Sequence, residues 1–374
     1  MRVLHVQKAA GIGGSERHLL MLLPALREAG VEVRACVAVT GDGRRFADEL
    51  RARDIDVREA DAGPDLNPRL VRWLTQQARE FQPAILHTHL IHADLHGQIA
   101  ARLAHVPSVS SVHGTLAALR RPPYRSVGRA IGRVTPLTIA ISAHVQHFLE
   151  SLRLRTAGSV RVVHYGLDPH GWPATPAERQ SARATFELED DDVAVAITAR
   201  LIPGKGHDLL LDALGDALRS EPRLRLLVAG DGPTRTELGR QARALPAGAV
   251  RFLDFMPDVR PLVQACDVLA FPTAPELGEG FGLAALEAMA AERPVVATAV
   301  GALPEVVAHG QTGIVVPPGD RGQLADALVR LARDPGLRAR LGAAGRERAR
   351  TEFSIDRMIG RTLAVYEEAL PRAV

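Results

Sequence analysis

Short runs rich in Val, Ile, Leu and Ala alternate with longer amphipathic stretches along nearly the whole chain. The short runs are typical of buried strands, and the longer stretches repeat their apolar residues with the period of a helix. The pattern predicts strands at 2–7, 31–39, 84–88, 107–112, 137–141, 160–164, 193–198, 224–229, 267–271, 294–298 and 313–316. It predicts helices at 15–29, 67–81, 94–104, 142–152, 206–220, 234–244, 282–291, 321–333 and 336–350. Such alternation indicates an α/β fold whose parallel sheets are covered by helices on both faces.

The length of the chain indicates two domains. Its 374 residues suffice for two domains of about 150–190 residues each. Proline and glycine interrupt the alternation between 168 and 192, so we place the break there and expect no regular structure in that stretch. We predict domains at 1–170 and 171–354, each a doubly wound, Rossmann-like sheet. Sheets of this kind bind ligands at the carboxyl ends of their strands, and two joined in this way leave a cleft.

The composition is that of a globular protein in a reducing compartment. Apolar residues make up 46% and charged residues 24% of the chain. Cys36 and Cys266 lie far apart in apolar runs, which fits buried thiols better than a disulfide. The N-terminal residues are too polar for a signal peptide, and no apolar run approaches the length of a membrane span. We therefore expect a cytoplasmic protein.

Charge is distributed unevenly along the chain. Residues 1–170 contain 22 Lys+Arg against 15 Asp+Glu, a net charge of +7, and the remainder contains 24 against 28. A basic first half suits an anionic substrate or an acidic membrane surface, although solvated helix faces would give the same count. We expect no nucleic-acid partner, because the chain has no zinc-finger spacing, aromatic RNA-binding motif or basic tail.

Basic residues are nearly all arginine, and the only lysines are Lys8 and Lys205. In such a chain, a lysine indicates a position that needs a compact ammonium rather than arginine's planar fork, although chance retention is the alternative. Lys205 follows Arg200 on a Pro/Gly loop between a predicted strand and a predicted helix. Two cations five residues apart on such a loop suit a diphosphate, with Arg200 bidentate and Lys205 a point charge.

A glycine-rich loop follows the first predicted strand. It reads Gly11-Ile-Gly13-Gly14-Ser15-Glu16, and a helix is predicted to begin there with Ser15 as its N-cap. Glycines allow the backbone to approach a ligand, and the free N–H groups at a helix start suit phosphate. A strand-to-helix turn needs glycine in any case, and the dinucleotide spacing Gly-x-Gly-x-x-Gly is absent, which argues against a nicotinamide enzyme.

Histidines are concentrated near the ends of two predicted strands. His113 directly follows the strand at 107–112, where it could bond a substrate hydroxyl or a leaving oxygen, or serve as a structural histidine. His87, His89, His92 and His96 invite interpretation as a metal site. No Glu occupies a His-Glu-x-x-His arrangement, so we predict no metal.

The most informative segment runs from Phe271 to Met289. A predicted strand ends, a Pro/Gly loop follows, and a helix begins near Gly282, whose backbone N–H groups can hold phosphate or sugar oxygens. Glu279 precedes that helix, and Glu287 lies inside it among apolar residues. A carboxylate in apolar surroundings is costly unless it meets donors, which a ribose diol would supply; a surface glutamate is the alternative.

Taken together, these segments closely resemble glycosyltransferase family 4, the retaining enzymes of the GT-B fold, over essentially the whole chain. The resemblance rests above all on Glu279-Gly-Phe-Gly with Glu287 eight positions later. The other segments that carry it are Gly13-Gly14-Ser15-Glu16, His113, Ile141-Ser142, Gly166-Leu167-Asp168, Arg200 with Lys205-Gly206, Gly230-Asp231-Gly232-Pro233, Gly301 with Pro304-Glu305, Gly313, and Pro317–Asp320.

The resemblance implies a function and a set of site residues. We expect a GT-B enzyme whose two Rossmann-like domains face each other across a deep cleft, with a C-terminal helix at about 355–374 returning to the first, acceptor-side domain. It would transfer a sugar from a nucleotide-diphosphate sugar, by family frequency a UDP-sugar, with retention and without a metal or other cofactor. The implied catalytic residues are His113, Arg200, Lys205 and Glu279. The implied donor-binding residues are Gly13, Gly14, Gly230, Gly280, Phe281, Gly282, Leu283 and Glu287.

Two positions depart from the family pattern, and several alternatives stay open. Tyr165 stands where asparagine is frequent, and Ala302 stands where a second glycine is common. A sugar-nucleotide epimerase of the same fold is the alternative enzyme, and a silent scaffold would be expected to lose Lys205, Glu279 or Glu287. The acceptor could be a small molecule, a glycan, or a lipid-linked or anionic compound. The basic segment from Arg120 to Arg133 suggests a peripheral contact with the inner membrane face; the oligomeric state is left open.

Overall fold

A computed structural model describes residues 1–115, 117–122, 124–156 and 158–371. The chain forms two compact units. Unit 1 comprises Met1–Gly166 and the C-terminal segment from Ile355, and unit 2 comprises Leu167–Ser354. The predicted domain boundary after residue 170 thus lies four residues beyond the observed one.

Unit 1 is built on a seven-stranded parallel sheet in the order β3-β2-β1-β4-β5-β6-β7. Its strands are β1 Arg2–Ala9, β2 Glu32–Val39, β3 Asp56–Asp61, β4 Ile85–His89, β5 Ser108–Val112, β6 Leu137–Ala140 and β7 Val160–Val162. Its helices are α1 Gly14–Glu28, α2 Arg44–Arg51, α3 Pro68–Phe81, α4 Leu90–Ala104, α5 Tyr124–Val134, α6 Ala143–Ser151 and, at the other end of the chain, α15 Ile355–Ala369. Short 3₁₀ turns lie at Gly41–Gly43 and Ala117–Arg120.

Unit 2 is built on a six-stranded parallel sheet in the order β10-β9-β8-β11-β12-β13. Its strands are β8 Val193–Thr198, β9 Leu224–Ala229, β10 Val250–Phe252, β11 Val268–Phe271, β12 Val295–Thr298 and β13 Gly313–Val316. Its helices are α7 Pro176–Thr185, α8 His207–Leu218, α9 Arg235–Ala242, α10 Arg260–Ala265, α11 Leu283–Ala290, α12 Leu303–Val306, α13 Arg321–Arg333 and α14 Pro335–Glu352. The predicted α/β class with parallel sheets is confirmed in both units.

The order of strands fixes where each sheet can bind a ligand. In unit 1, successive strands are added on one side of β1 and then on the other, beginning with β4. In unit 2 the same reversal falls between β8 and β11. Loops that leave neighbouring strands in opposite directions open a crevice at such a switch point, at the carboxyl edge of the sheet. The loops after β1, β4, β8 and β11 therefore frame the places to search.

Two predictions of local structure were wrong. The stretch 168–192 contains α7, which begins with Pro176 behind a capping box between Thr175 and Glu178. That Thr-Pro-x-Glu pattern is a helix-start signal that favours a helix over an irregular linker. Strands β3 and β10, both at sheet edges, were missed. An edge strand needs fewer apolar residues, and β3 reads Asp-Val-Arg-Glu-Ala-Asp with only Val57 buried.

Helix α15 belongs to unit 1 because its apolar face packs into the core of that unit. Met358, Val365 and Tyr366 are at most 4% exposed and belong to the same core cluster as residues of β1 and α1. The Tyr366 hydroxyl bonds the buried ring of His87 on β4 over 2.7 Å. The last described helix therefore covers a polar as well as an apolar part of the sheet.

Candidate functional site

The loops after β8 and β11 meet at the switch point of the unit 2 sheet. Lys205, on the first loop, places its Nζ 2.9 Å from Oε2 of Glu279, on the second. Both side chains are largely enclosed, with 19% and 16% of their surface exposed. The ammonium also lies 5.6 Å from the centre of the Phe271 ring, at the end of β11. Two residues that sequence reasoning singled out separately thus form one ion pair.

Glycines allow these two loops to touch. Gly206 has φ +78°, and a Cβ there would lie 1.9 Å from the carbonyl oxygen of Pro272. The loops are also joined by a 2.8 Å bond from the N–H of Ala274 to the carbonyl of Gly204. Any side chain at Gly206 would force apart the backbones that carry Lys205 and Glu279.

A third loop, after β12, fixes the backbone of Glu279. Gly301 has φ +59°, and a Cβ there would lie 2.1 Å from the Glu279 carbonyl oxygen. That oxygen accepts a 2.9 Å bond from the N–H of Ala302. Ala302, the departure from a second glycine, is fully buried. The alanine therefore fits where it stands, and glycine is required one residue earlier.

Helix α11 starts directly behind Glu279 and carries Glu287. Its N-cap is Gly282, with φ +100°, so Leu283 is the first helical residue. Glu287 is 7% exposed and is flanked by the buried residues Leu286 and Ala288. The side chain of Phe281 is 1% exposed and packs edge-on against Phe353 at 5.6 Å. Phe281 can therefore meet a ligand through its backbone alone, whereas its ring anchors the loop in the core.

Arg200 and Gly230 are brought together by backbone contacts between the loops after β8 and β9. Gly230 has φ +144°, and a Cβ there would lie 1.9 Å from the carbonyl oxygen of Ala199. The N–H of Leu201 bonds the carbonyl of Asp231 over 2.9 Å. Arg200 is exposed, and its side chain has no hydrogen bond or ion pair to any described residue. Its guanidinium is thus available to an anion at this edge of the sheet.

In unit 1, a buried carboxylate shapes the glycine-rich loop after β1. Glu16 accepts bonds from the N–H of Gly13, the Ser15 hydroxyl and the Gln7 amide, at 3.0, 3.0 and 2.8 Å. The N-cap of α1 is Gly13, so the prediction of Ser15 as N-cap was wrong; its hydroxyl serves Glu16 instead. Gly14 has open space around its Cβ position, so a ligand could approach its backbone. The sequence analysis named Glu16 only as part of a motif. Its position also depends on a hydrogen bond from Gln7, which the sequence pattern did not single out.

His113 lies just beyond β5, as predicted, and both of its ring nitrogens are engaged. Nε2 lies 3.0 Å from Nδ1 of His89, and Nδ1 lies 2.6 Å from the Tyr165 hydroxyl. Burial lowers the pKa of His113 to about 3, so the ring is neutral at physiological pH. A sugar hydroxyl that bonds His113 would have to share or replace one of these partners. Tyr165, a departure from the family pattern, is therefore tied directly to a predicted catalytic residue.

The other histidines of the sequence cluster divide into two groups. Ring nitrogens of His5, His87 and His89 lie within 4.8 Å of one another. His5 and His89 face each other over 3.0 Å, and His87 bonds Tyr366 and Ser111. These contacts form a hydrogen-bonded cluster, and three nitrogens at this spacing could also hold a metal ion, so the absence of a metal stays a prediction.

His92 and His96 form the second group, on α4. Their rings lie 4.4 Å apart. Both nitrogens of His96 are satisfied by backbone, through the His92 carbonyl and the N–H of Asn67. The four histidines that suggested a metal therefore do not converge on one point.

A cavity of about 130 Å³ lies beside His113 within unit 1. Apolar side chains, among them Leu119 and Ile131, form most of its wall, and the buried ion pair of Asp94 and Arg155 contributes the polar part. The two charged groups are 3.0 Å apart, and Asp94 also accepts bonds from the hydroxyls of Thr88 and Ser110. Burial raises the pKa of Asp94 and lowers that of Arg155. Sequence reasoning missed this pair, which lies 61 residues apart in the chain.

Comparison with known proteins gives the family. Residues 12–170 match the family model described as Glycosyltransferase Family 4, and residues 192–334 match Glycosyl transferases group 1. A D-inositol 3-phosphate glycosyltransferase of Saccharomonospora viridis is 33% identical, with 96% of this chain and 90% of that protein covered. The chain belongs to glycosyltransferase family 4. A second relative of this name, from Mycobacterium tuberculosis, is 31% identical over 96% of this chain and 79% of its own length.

Solved structures share the fold of this chain. Anabaena Alr3699/HepE in complex with UDP has a TM-score of 0.87 and 24% identity, covering 98% of this chain and all of that one. The same protein in complex with UDP-glucose gives 0.86 and 26%, with equal coverage. Sucrose-phosphate synthase from Thermosynechococcus elongatus gives 0.78 and 23%, covering 98% and 99%.

The predictions of class are thereby confirmed. The chain has the GT-B fold with two Rossmann-like domains, and it is a glycosyltransferase. The relatives named here are glycosyltransferases, and none supports the epimerase alternative. Within the described residues, no helix is long and apolar enough to cross a membrane.

Proposed function

We propose that this enzyme transfers a sugar from a UDP-sugar to a hydroxyl group of an anionic acceptor, with retention at the anomeric carbon. The observation that carries the proposal is the Lys205–Glu279 pair at the switch point of the unit 2 sheet, with Glu287 on the helix behind it. The UDP-glucose complex of HepE, at 26% identity, supports a uridine donor. The names of the D-inositol 3-phosphate glycosyltransferases support an acceptor that carries phosphate.

Arg200 and Lys205 are proposed to stabilise the departing diphosphate. Negative charge grows on the leaving oxygen as the bond from the anomeric carbon breaks, so fixed cations there lower the barrier. An ammonium has three N–H groups, so Lys205 can keep its bond to Glu279 and still donate to phosphate oxygens. Arg200, exposed on the same loop, would supply a planar pair of donors. With two cations in place, the proposed reaction needs no metal.

The sugar and the nucleoside are assigned to the loop and helix after β11. Glu279 would accept bonds from hydroxyls of the transferred sugar, and the backbone of Gly280–Leu283 would donate to its oxygens or to phosphate. Glu287, which is 7% exposed, would accept hydrogen bonds from the ribose hydroxyls. Gly230 would allow the loop after β9 to approach the nucleotide.

Unit 1 is proposed to supply three further donor contacts. Gly14 would contribute its backbone N–H at the start of α1, where the partial positive charge of a helix end favours phosphate, and Gly13, whose own N–H bonds Glu16, would let the loop lie close to the donor. His113 would contact the transferred sugar as a neutral ring. Glu16 would hold the Gly13 backbone in place for this purpose.

Retention is proposed to follow from attack on the same face from which the diphosphate leaves. The acceptor oxygen bonds the anomeric carbon as the bond to the diphosphate breaks, and the acceptor's proton passes to the departing phosphate oxygen. Glu279 is held by Lys205 in an ion pair, so we assign no covalent sugar–carboxylate intermediate. The transition state resembles an oxocarbenium ion beside a diphosphate, and no general base from the protein is required.

We also propose that unit 1 meets the inner membrane face through α5. Tyr124 and Val127 on this helix are 57% and 44% exposed, and Arg121 before the helix and Arg133 near its end are also exposed. Exposed apolar residues flanked by arginines suit an anionic lipid surface. Co-sedimentation with vesicles of phosphatidylglycerol at low salt should retain the enzyme, and Val127→Asp should release it. Equal recovery of both proteins in the supernatant would contradict the contact.

The transfer itself is tested by turnover. The enzyme is incubated with UDP-glucose, UDP-N-acetylglucosamine or GDP-mannose, together with D-inositol 3-phosphate or unphosphorylated inositol. We expect release of UDP that requires the phosphorylated acceptor, and a product whose anomeric proton coupling matches that of the donor. An isomerised UDP-sugar without transfer would support an epimerase. Activity with GDP-mannose alone, or an inverted product, would contradict the proposal.

A further inference from the structure

A chain of three hydrogen bonds in unit 1 runs from His5 through His89 and His113 to Tyr165. His5 on β1 bonds His89 on β4 over 3.0 Å, and His89 bonds His113 over 3.0 Å. His113 bonds the Tyr165 hydroxyl over 2.6 Å. The His5 and His89 rings are at most 1% exposed, and Tyr165 is 4% exposed. The predicted catalytic ring is thus held from both sides by groups that have no place in the proposed chemistry.

The protons in this chain cannot be arranged independently. Burial lowers the pKa of His5 and His113 to about 3 and that of His89 well below its usual value, so each ring is neutral and carries one N–H. If His113 donates from Nδ1 to Tyr165, its Nε2 must accept from His89, and His89 must in turn accept from His5. The opposite order reverses all three bonds. A mixed order would leave two N–H groups or two lone pairs facing each other in a buried site, which is costly.

Tyr165 is also fixed from its other side. The ring of His18, on α1, stacks on the Tyr165 ring with centroids 4.2 Å apart and planes 14° apart. His18 lies near the start of α1, the helix that begins at the glycine-rich loop shaped by Glu16. The backbone is also strained where β4 passes into α4, because Leu90, next to His89, has φ +69°. The stacked ring from α1 and the strained junction of β4 and α4 therefore restrict the movement of Tyr165 and His89.

We infer that Tyr165 and His89 are positioning residues that hold the His113 ring in one orientation and one tautomer for the transfer step. The inference rests on the proposed contact between His113 and the donor sugar. A ring held by both nitrogens is already ordered before the sugar arrives, so less entropy is lost as the transition state forms. Tyr165 acts through His113, and its hydroxyl is the part that matters.

The test compares two buried tyrosine hydroxyls that make the same kind of bond. Tyr165→Phe removes the bond to His113, and Tyr366→Phe removes the matching 2.7 Å bond to His87, which is not part of this chain. We expect Tyr165→Phe to lower kcat about tenfold and to change KM for the UDP-sugar less than twofold, because a less ordered His113 ring should weaken its contact with the transition state more than substrate binding. Tyr366→Phe should lower Tm and leave kcat unchanged.

A spectroscopic readout separates this inference from the proposed function. Long-range proton–nitrogen spectra of protein labelled with ¹⁵N-histidine, with His113 assigned through His113→Gln, need no donor. We expect a single tautomer for His113 in the parent and in Tyr366→Phe, and a mixture in Tyr165→Phe. If the parent enzyme shows no turnover, the proposed function is contradicted, whereas the inference about the His113 ring is not.

Three results would overturn the inference. One is a mixed His113 tautomer in the parent enzyme. Another is equal loss of kcat in Tyr165→Phe and Tyr366→Phe, which would indicate a structural role for both hydroxyls. The last is a stoichiometric metal ion in the purified protein, lost in His89→Gln, since a metal on His5, His87 and His89 would replace the hydrogen-bonded chain.

Discussion

At the scale of single residues, sequence reasoning singled out individual side chains but not the partners that the structure gives them. Lys205 stood out because the chain has almost no lysine, and Glu279 stood out by its place before a helix. That they pair over 2.9 Å follows from loops 74 residues apart meeting at one sheet edge. The bond from Tyr165 to His113 is equally invisible, because only the sheet brings positions 52 residues apart together. Residue type and local pattern can be predicted from sequence, whereas pairings set by tertiary contact cannot.

Replacement of Lys205 by arginine should not preserve activity. The ammonium lies between Glu279 and the Phe271 ring in a loop closed by Gly206, so a larger planar cation would displace one of these neighbours. We expect Lys205→Arg to lower kcat by roughly 10²-fold, the usual cost of misplacing one stabilising charge. Lys8→Arg is the matched control, since Lys8 has 28% of its side chain exposed and a loose 3.9 Å contact to Asp65. Comparable initial rates for the two variants would contradict the role of Lys205.

At the scale of elements, most strands were predicted because a buried parallel strand is a continuous apolar run. The exceptions, β3 and β10, are edge strands whose sequences carry little of that signal. For the loops, the sequence predicted where glycine permits a tight turn or a close approach, but not the conformation of the loop. Gly301 belongs to a motif found in the sequence. The reason that its position requires glycine is the close approach of the Glu279 backbone, a tertiary contact that a linear pattern does not contain.

Two glycines test that backbone approach. Gly301 and Gly310 both have positive φ, +59° and +74°, so alanine is strained at either position by roughly 1–2 kcal/mol. A Cβ at Gly301 would also clash with the Glu279 backbone, whereas Gly310 has no atom within 4 Å of its Cβ position. We expect Gly301→Ala to lower Tm further than Gly310→Ala and to raise KM for the UDP-sugar at least tenfold. If KM is unchanged in Gly301→Ala, the loop does not depend on this contact.

At the scale of the whole molecule, the two units differ in their buried ionisable groups. In unit 1, burial lowers the pKa of His5 and His113 to about 3 and those of His18, His87 and His89 well below 6.5. In unit 2, His207 is lowered to about 4. The α/β class with parallel sheets was predicted from the alternating sequence, but this concentration of neutral histidines depends on which strands become neighbours.

Acid should therefore destabilise unit 1 before unit 2. A histidine with a depressed pKa in the folded state contributes its full stability above pH 6.5 and loses it as the pH falls towards the folded value, by up to about 1.4 kcal/mol per pH unit for each residue. Asp94, whose pKa is raised by burial, acts in the opposite direction. Urea denaturation at pH 7, 6 and 5 measures the effect.

Each unit carries one tryptophan that can report on it. Trp73 lies in unit 1 and Trp172 in unit 2. In Trp172→Phe, the urea midpoint reported by Trp73 fluorescence should fall steeply between pH 7 and 5. In Trp73→Phe, the urea midpoint reported by Trp172 fluorescence should fall less. Parallel loss at both probes would contradict the assignment of acid sensitivity to unit 1.

The claim that unit 2 binds the uridine diphosphate of the donor is tested most directly by titration calorimetry with UDP, which needs no acceptor. The measurement compares the parent enzyme with Glu287→Gln and with Glu292→Gln, an exposed glutamate just beyond the same helix that pairs with Arg346. We expect one UDP bound per chain, an affinity at least tenfold weaker in Glu287→Gln, and parent affinity in Glu292→Gln. Absence of binding by UDP, or equal affinity in all three proteins, would contradict the account.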